Sequence, residues 1–164
     1  MAKKKTLLQE KLIVCLWGAA KHGKSSTLKH FAEMLIPVPS AQNITWHLYH
    51  PKNTAISKMP SKISTWKNDI CVSFDYKKKH IGISSGGDAP SHTKKYLEIL
   101  GKENCTIIFS SIRTLAENTT EVVNFAKRYA YKIIWAHTYT PDINNKDLNE
   151  IVNIMQAKQF MDFL

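Results

Sequence analysis

Nine residues, Gly18-Ala19-Ala20-Lys21-His22-Gly23-Lys24-Ser25-Ser26, constrain this chain more than any other stretch, because they join two segments of different period. Before them runs Leu12-Ile13-Val14-Cys15-Leu16-Trp17, continuously apolar and rich in strand formers. After them, Leu28, Phe31, Ala32 and Leu35 recur at i, i+3, i+4 and i+7, one face of a helix that Pro37 ends. The expected start is a buried strand over 11–17, a turn bounded by two glycines, and a helix over about 24–36.

The two glycines let the backbone close tightly, with no side chains in the way. Successive N–H groups then converge as a nest, and the following helix adds the positive end of its dipole. The pattern G-x-x-x-x-G-K-S between strand and helix resembles the phosphate loop of P-loop nucleoside triphosphatases, the Walker A motif. The resemblance is carried by these nine residues and their flanking elements. It implies a three-layer P-loop fold, ATP or another nucleoside triphosphate held by residues 18–26, and Mg²⁺ as cofactor. In it Lys24 reaches the β- and γ-phosphates, and the Ser25 hydroxyl ligates the metal. His22 stands at a variable position and contacts phosphate through its backbone.

At 164 residues the chain reads as one domain over 1–164, with residues 1–10 as a basic arm. An apolar fraction of 43% with 22% charged residues is that of a globular protein, and no apolar run is long enough to span a membrane. The basic N-terminus has no signal-peptide core behind it, so a cytoplasmic location is expected. Cys15, Cys71 and Cys105 are odd in number, lie in or beside strands and lack metal-ligand spacing, which predicts buried thiols. The seven histidines also show no zinc-ligand spacing. The net charge of +10 is nearly all lysine, with Arg113 and Arg128 the only arginines. Such a surface suits an acidic partner or nucleic acid, or simply a solvated protein with a nucleotide pocket.

The remaining chain alternates strands and helices. Residues 44–49 alternate and predict a short strand within a connection, 37–69, that is long for a small domain. It is either a mobile element near the phosphates or a surface excursion held by Trp46 and Trp66. Residues 70–76 and 80–84, separated by Lys77-Lys78-Lys79, predict an antiparallel hairpin. Ser85-Gly86-Gly87-Asp88-Ala89-Pro90 breaks the chain before a helix over 91–100 that Gly101 ends. A strand over 105–110 leads into an exit loop, 111–116, and Asn118-Thr119-Thr120-Glu121 has the spacing of a capping box opening the next helix. A strand over 132–137 and a helix over about 146–163, burying Leu148, Ile151, Val152 and Met155, complete the chain. The result is an α/β fold: a mainly parallel sheet with one antiparallel hairpin strand and helices on both faces.

Ligands of such sheets bind beyond the carboxyl ends of the parallel strands. Asp75 ends an apolar run, but as the last residues of the antiparallel strand it faces the opposite edge. Asp88 follows the parallel strand over 80–84 and is the preferred acid, reaching Mg²⁺ through water; a dipole-stabilising role at the next helix is the alternative. Gly86-Gly87 either admits a phosphate or acceptor or makes a tight turn. Arg113, at a strand exit, suits a triphosphate in the manner of an arginine finger, or pairs with Glu117 or Glu121. Lys24, Asp88 and Arg113 are thus the candidate catalytic residues, with Ser25 and Asp88 on the metal.

The element order resembles that of small GTPase-type domains. However, Ser-Ser-Ile-Arg-Thr stands where their Asn-Lys-x-Asp would be, and Ser-Ser-Gly-Gly-Asp stands in place of Asp-x-x-Gly. ATP is therefore the expected nucleotide. Three functions remain open: ATP binding with Mg²⁺-dependent hydrolysis, a small-molecule or nucleotide kinase, and a nucleic-acid-associated protein regulated by nucleotide.

Overall fold

A computed structural model of the chain describes residues 10–47, 62–138 and 144–164. Nearly all of the basic arm, the middle of the long first connection and most of the loop before the last helix lie outside them. The elements run β1 (Lys11–Gly18), α1 (Lys24–Leu35), β2 (Gln42–Trp46), β3 (Cys71–Tyr76), β4 (Lys79–Ser84), α2 (Pro90–Lys102), β5 (Ile107–Arg113), α3 (Ala116–Tyr129), β6 (Tyr131–His137) and α4 (Lys146–Gln159). Single 3₁₀ turns lie at Ile63–Thr65 and Phe160–Phe163.

The six strands form one sheet in the order β2-β3-β4-β5-β1-β6. β1, β4, β5 and β6 are mutually parallel, and β3 alone runs against both of its neighbours. The short β2, predicted over 44–49, covers 42–46 and pairs with β3, while residues 48–49 of that expectation lie outside the described residues.

Alternation along the central strands divides the core into two layers, as the strand period of two requires. In β1, Val14 and Leu16 face α1 and α4, together with Phe109, Phe31 and Phe160. Ile13 and Cys15 face α2 and α3, together with Ile108, Leu97 and Phe125. Burying both faces of a parallel sheet is what its continuous apolar strands demand. Cys15, Cys71 and Cys105 are buried free thiols. Burial pushes the Cys105 thiol up to about 12.

Four expectations are corrected. Gly101 lies inside α2, where its missing Cβ admits the Phe125 ring. α3 begins at Ala116, so Asn118 is not its cap. Its buried amide instead donates to the Gly87 carbonyl at 2.7 Å and to the Thr93 hydroxyl at 3.1 Å. β5 continues to Arg113, so Ser111 and Arg113 belong to the strand and not to a loop. In α4, Leu148, Ile151 and Met155 are exposed, while Asn153, Gln156 and Ala157 face inward. On the inner face of α4, Asn153 accepts the Thr27 hydroxyl of α1 and Gln156 donates to the His137 carbonyl at the end of β6, contacts that a count of apolar residues does not register.

Among the described residues, no helix is long and apolar enough to cross a membrane.

Candidate functional site

The turn after β1 supplies one wall of a cavity of about 290 Å³, lined by Lys21, His22, Gly23, Lys24, Ser25, Ser26, Asp88, Asn149 and Asn153. That volume is close to the lower end of small-molecule sites, which begin near about 300 Å³. Lys21 and Gly23 both take left-handed φ, 62° and 74°. Gly23 is the N-cap of α1 and, as a glycine, has no side chain with which to cap that helix end. The first N–H groups of α1 have no partner within the helix. The loop thus places the N–H groups and the positive dipole end of a helix N-terminus at the cavity wall, an arrangement that suits an anion. Both glycines are closely packed as well: a Cβ at Gly18 would displace the Thr138 hydroxyl, and one at Gly23 the Asn153 amide.

Lys24 is only 5% exposed, and its Nζ donates to the Ala19 carbonyl at 2.6 Å. The ammonium is thereby folded back along its own loop. Burial lowers its pKa; Asp88 opposes that shift and Arg113 adds to it. A buried ammonium whose one partner among the described residues is a neutral carbonyl is under-solvated, and an anion in the cavity would supply what it lacks.

Ser25 leaves the first turn of α1 and donates its hydroxyl to the Ser85 carbonyl at 3.0 Å. Ser111, from β5, donates to the same oxygen at 2.6 Å. Asp88 lines the cavity and is met by Arg113, whose Nε lies 3.4 Å from its carboxylate. Arg113 therefore pairs with Asp88, not with Glu117 or Glu121. Asp75 lies at the opposite sheet edge, bonded to Asn43 at 2.6 Å and His80 at 2.7 Å. The Asn43 bond, then the His80 bond, hold its carboxyl below the ordinary range. The structure thus brings together residues 18–26, Asp88 and Arg113, and leaves Asp75 out.

Gly86 and Gly87 are occupied by packing. A Cβ at Gly86 would enter the Tyr96 ring, and one at Gly87 would overlap the Ser111 carbonyl. Gly87 also bonds to β5, its carbonyl accepting the Arg113 N–H at 3.1 Å. His22 lines the cavity, whereas His137 stacks edge-on against Trp17 with ring centroids 4.9 Å apart.

Three residues at this edge are not among the sequence candidates. Asn149 and Asn153 of α4 complete the cavity wall. The Asn149 Oδ1 is buried and has no hydrogen-bond partner among the described residues, while the Asn153 Oδ1 accepts the Thr27 hydroxyl at 3.2 Å. Asp69 precedes β3 and accepts the Ser85 hydroxyl at 3.1 Å. Burial raises its pKa, against the lowering effects of the Ser85 hydrogen bond and Lys29.

A magnesium ion commonly takes one or two protein oxygens, completing its shell with phosphate oxygens and water. The Ser25 hydroxyl and the Asp88 carboxylate at the cavity suit that mode. Among the described residues no cluster of three or more His, Cys, Asp or Glu could form an all-protein metal cage. Comparison of the chain with protein-family models, with curated proteins and with solved structures finds no match to any of them.

Proposed function

We propose that the chain has a P-loop fold and binds a nucleoside triphosphate, ATP by preference, with Mg²⁺ at the 18–26 loop, and that it hydrolyses the terminal phosphate. One observation carries the reading: the N-terminus of α1, entered through left-handed Gly23, opens with the buried Lys24 onto one cavity that Asp88 also lines. The helix end and Lys24 bind the phosphates. Ser25 and Asp88 hold the cation, Asp88 through water. Arg113 moves from Asp88 to the phosphates and offsets the charge that builds in the transition state.

ATP is preferred because the residues that read guanine in GTPase-type domains have no counterpart here. A kinase needs an acceptor pocket. The Gly86-Gly87 turn, the sequence feature that suggested one, is filled by Tyr96 and the β5 backbone. Hydrolysis is therefore favoured over transfer to an acceptor.

The test is release of inorganic phosphate from Mg²⁺-ATP by the purified chain with no acceptor present. Release that Mg²⁺ chelation abolishes supports hydrolysis. Phosphorylation of a small molecule in a metabolite mixture, without release in its absence, supports the kinase instead. Tight oligonucleotide binding that weakens steeply with salt, with ATP altering the affinity and not being consumed, supports the nucleic-acid reading.

A further inference from the structure

Ser85 follows β4, is buried, and has every polar group engaged. Its N–H donates to the Ile70 carbonyl at 2.9 Å. Its hydroxyl accepts the Ile70 N–H at 2.9 Å and donates to the Asp69 carboxylate at 3.1 Å. Its carbonyl accepts the hydroxyls of Ser25 at 3.0 Å and Ser111 at 2.6 Å. The approach to β3, the end of β4, strand β5 and the first turn of α1 therefore meet at one residue.

A serine hydroxyl has one proton to give and two lone pairs. Ser25 gives its proton to the Ser85 carbonyl, so its lone pairs point away from Ser85. A hydroxyl that ligates a cation must be arranged in this way, with its proton held elsewhere and its oxygen free. The direction of the Ser85 carbonyl sets that arrangement. Ser85 is in turn pinned through its own hydroxyl, which Asp69 orients. An ionised carboxylate only accepts, so it fixes where the Ser85 proton goes and leaves the hydroxyl's lone pairs to Ile70.

We propose that Asp69 is a positioning residue of the phosphate site, acting through Ser85 to orient the Ser25 hydroxyl towards the cation that accompanies the triphosphate. The inference rests on the triphosphate reading above. Asp69 does not need to touch the metal: the acid on the cavity wall is Asp88. The segment carrying Asp69 is anchored twice. Lys29 of α1 donates to the Trp66 carbonyl at 2.7 Å, and Ser85 holds Asp69 three residues on. This links the tail of the long first connection to the geometry of the metal ligand. Outer partners of metal ligands typically change metal affinity or activity by about 10–100-fold when removed.

The test compares Asp69→Ala and Asp69→Asn with the parent chain. A fluorescent ATP analogue is titrated without metal, and turnover of ATP is followed across Mg²⁺ concentrations. Asp69→Ala should raise the Mg²⁺ needed for half-maximal turnover about tenfold and leave metal-free affinity for the analogue within about twofold. Asp69→Asn keeps an acceptor facing the Ser85 hydroxyl and should recover most of the loss. Ser85→Ala removes the hydroxyl through which Asp69 acts, and carries the same expectation should Asp69→Ala not fold. A Mg²⁺ requirement equal to the parent's overturns the inference. So does an equal loss with and without metal, which marks a purely structural role. A parent chain that binds no analogue at any Mg²⁺ concentration overturns the triphosphate reading itself, and the parent control reveals that separately.

Discussion

The Arg113 guanidinium meets the Asp88 carboxylate at 3.4 Å, joining the end of β5 to the loop that follows β4. Both side chains are substantially exposed, Arg113 by 38% and Asp88 by 71%. Exposed pairs of this kind contribute little to folding and rearrange readily. Each partner also has another role in the proposed site, Arg113 with phosphate and Asp88 with the cation. The pair is therefore read as the resting arrangement of two ligand-directed groups.

Arg113→Ala should leave stability within about 0.5 kcal/mol of the parent, measured by urea unfolding. In ATP hydrolysis it should lower kcat about tenfold or more, with nucleotide affinity changed only a few-fold. Equal losses in affinity and turnover would make Arg113 a binding residue only.

Gly87→Ala tests whether the glycine turn is there for packing. Its Cβ would overlap the Ser111 carbonyl, a backbone atom fixed in the middle of the sheet. Overpacking of this kind costs roughly 1–3 kcal/mol. Urea unfolding should show the midpoint falling accordingly. An unchanged midpoint would mean that the turn has room, and would reopen it as a ligand contact.

Much of this molecule was legible in the sequence, and for identifiable reasons. The apolar runs of β1 and β5 and the stripe Leu28, Phe31, Ala32, Leu35 fixed elements through local period alone. The position of Asp75 at the far edge followed from the hairpin: a strand that runs backwards delivers its end to the wrong side of the sheet. The same reasoning applied to the start of that strand would have picked out Asp69, since residues just before a reversed strand lie at the ligand edge. Asn149 and Asn153 gave no such signal, because only the packing of α4 on α1 brings them to the cavity. Asn118 mimicked a cap through spacing, while its amide is committed to Gly87 across the fold. The apolar stripe of α4 misled because period identifies a face without saying what that face meets.

The outward stripe yields a direct check. Ile151 is 54% exposed and Met155 58%. Ile151→Lys and Met155→Lys should each change unfolding free energy by no more than about 0.5 kcal/mol. Leu28→Ala, in the core, should cost about 2–5 kcal/mol. A large loss at position 151 or 155 would place that side chain in a packed environment.

Ala130 ends α3 with φ 58° and ψ 43°, a left-handed conformation in which a Cβ is crowded by backbone. Glycine avoids that crowding and is the usual residue at such a helix end. Ala130→Gly should therefore raise stability by roughly 0.5–1 kcal/mol in urea unfolding, the gain reduced by the greater freedom of glycine in the unfolded chain. Destabilisation would show that the conformation is not strained.

The central claim is that the amides between β1 and α1, with Lys24, hold a polyanion. The most direct measurement is calorimetric titration of Mg²⁺-ATP into the parent chain and into Lys24→Ala, with circular dichroism to establish that both are folded. Loss of one charge-assisted contact, worth roughly 1.5–3 kcal/mol, predicts affinity at least about tenfold weaker in the variant, with an unchanged spectrum. Equal affinity in the two folded proteins, or no binding by the parent, would contradict the account.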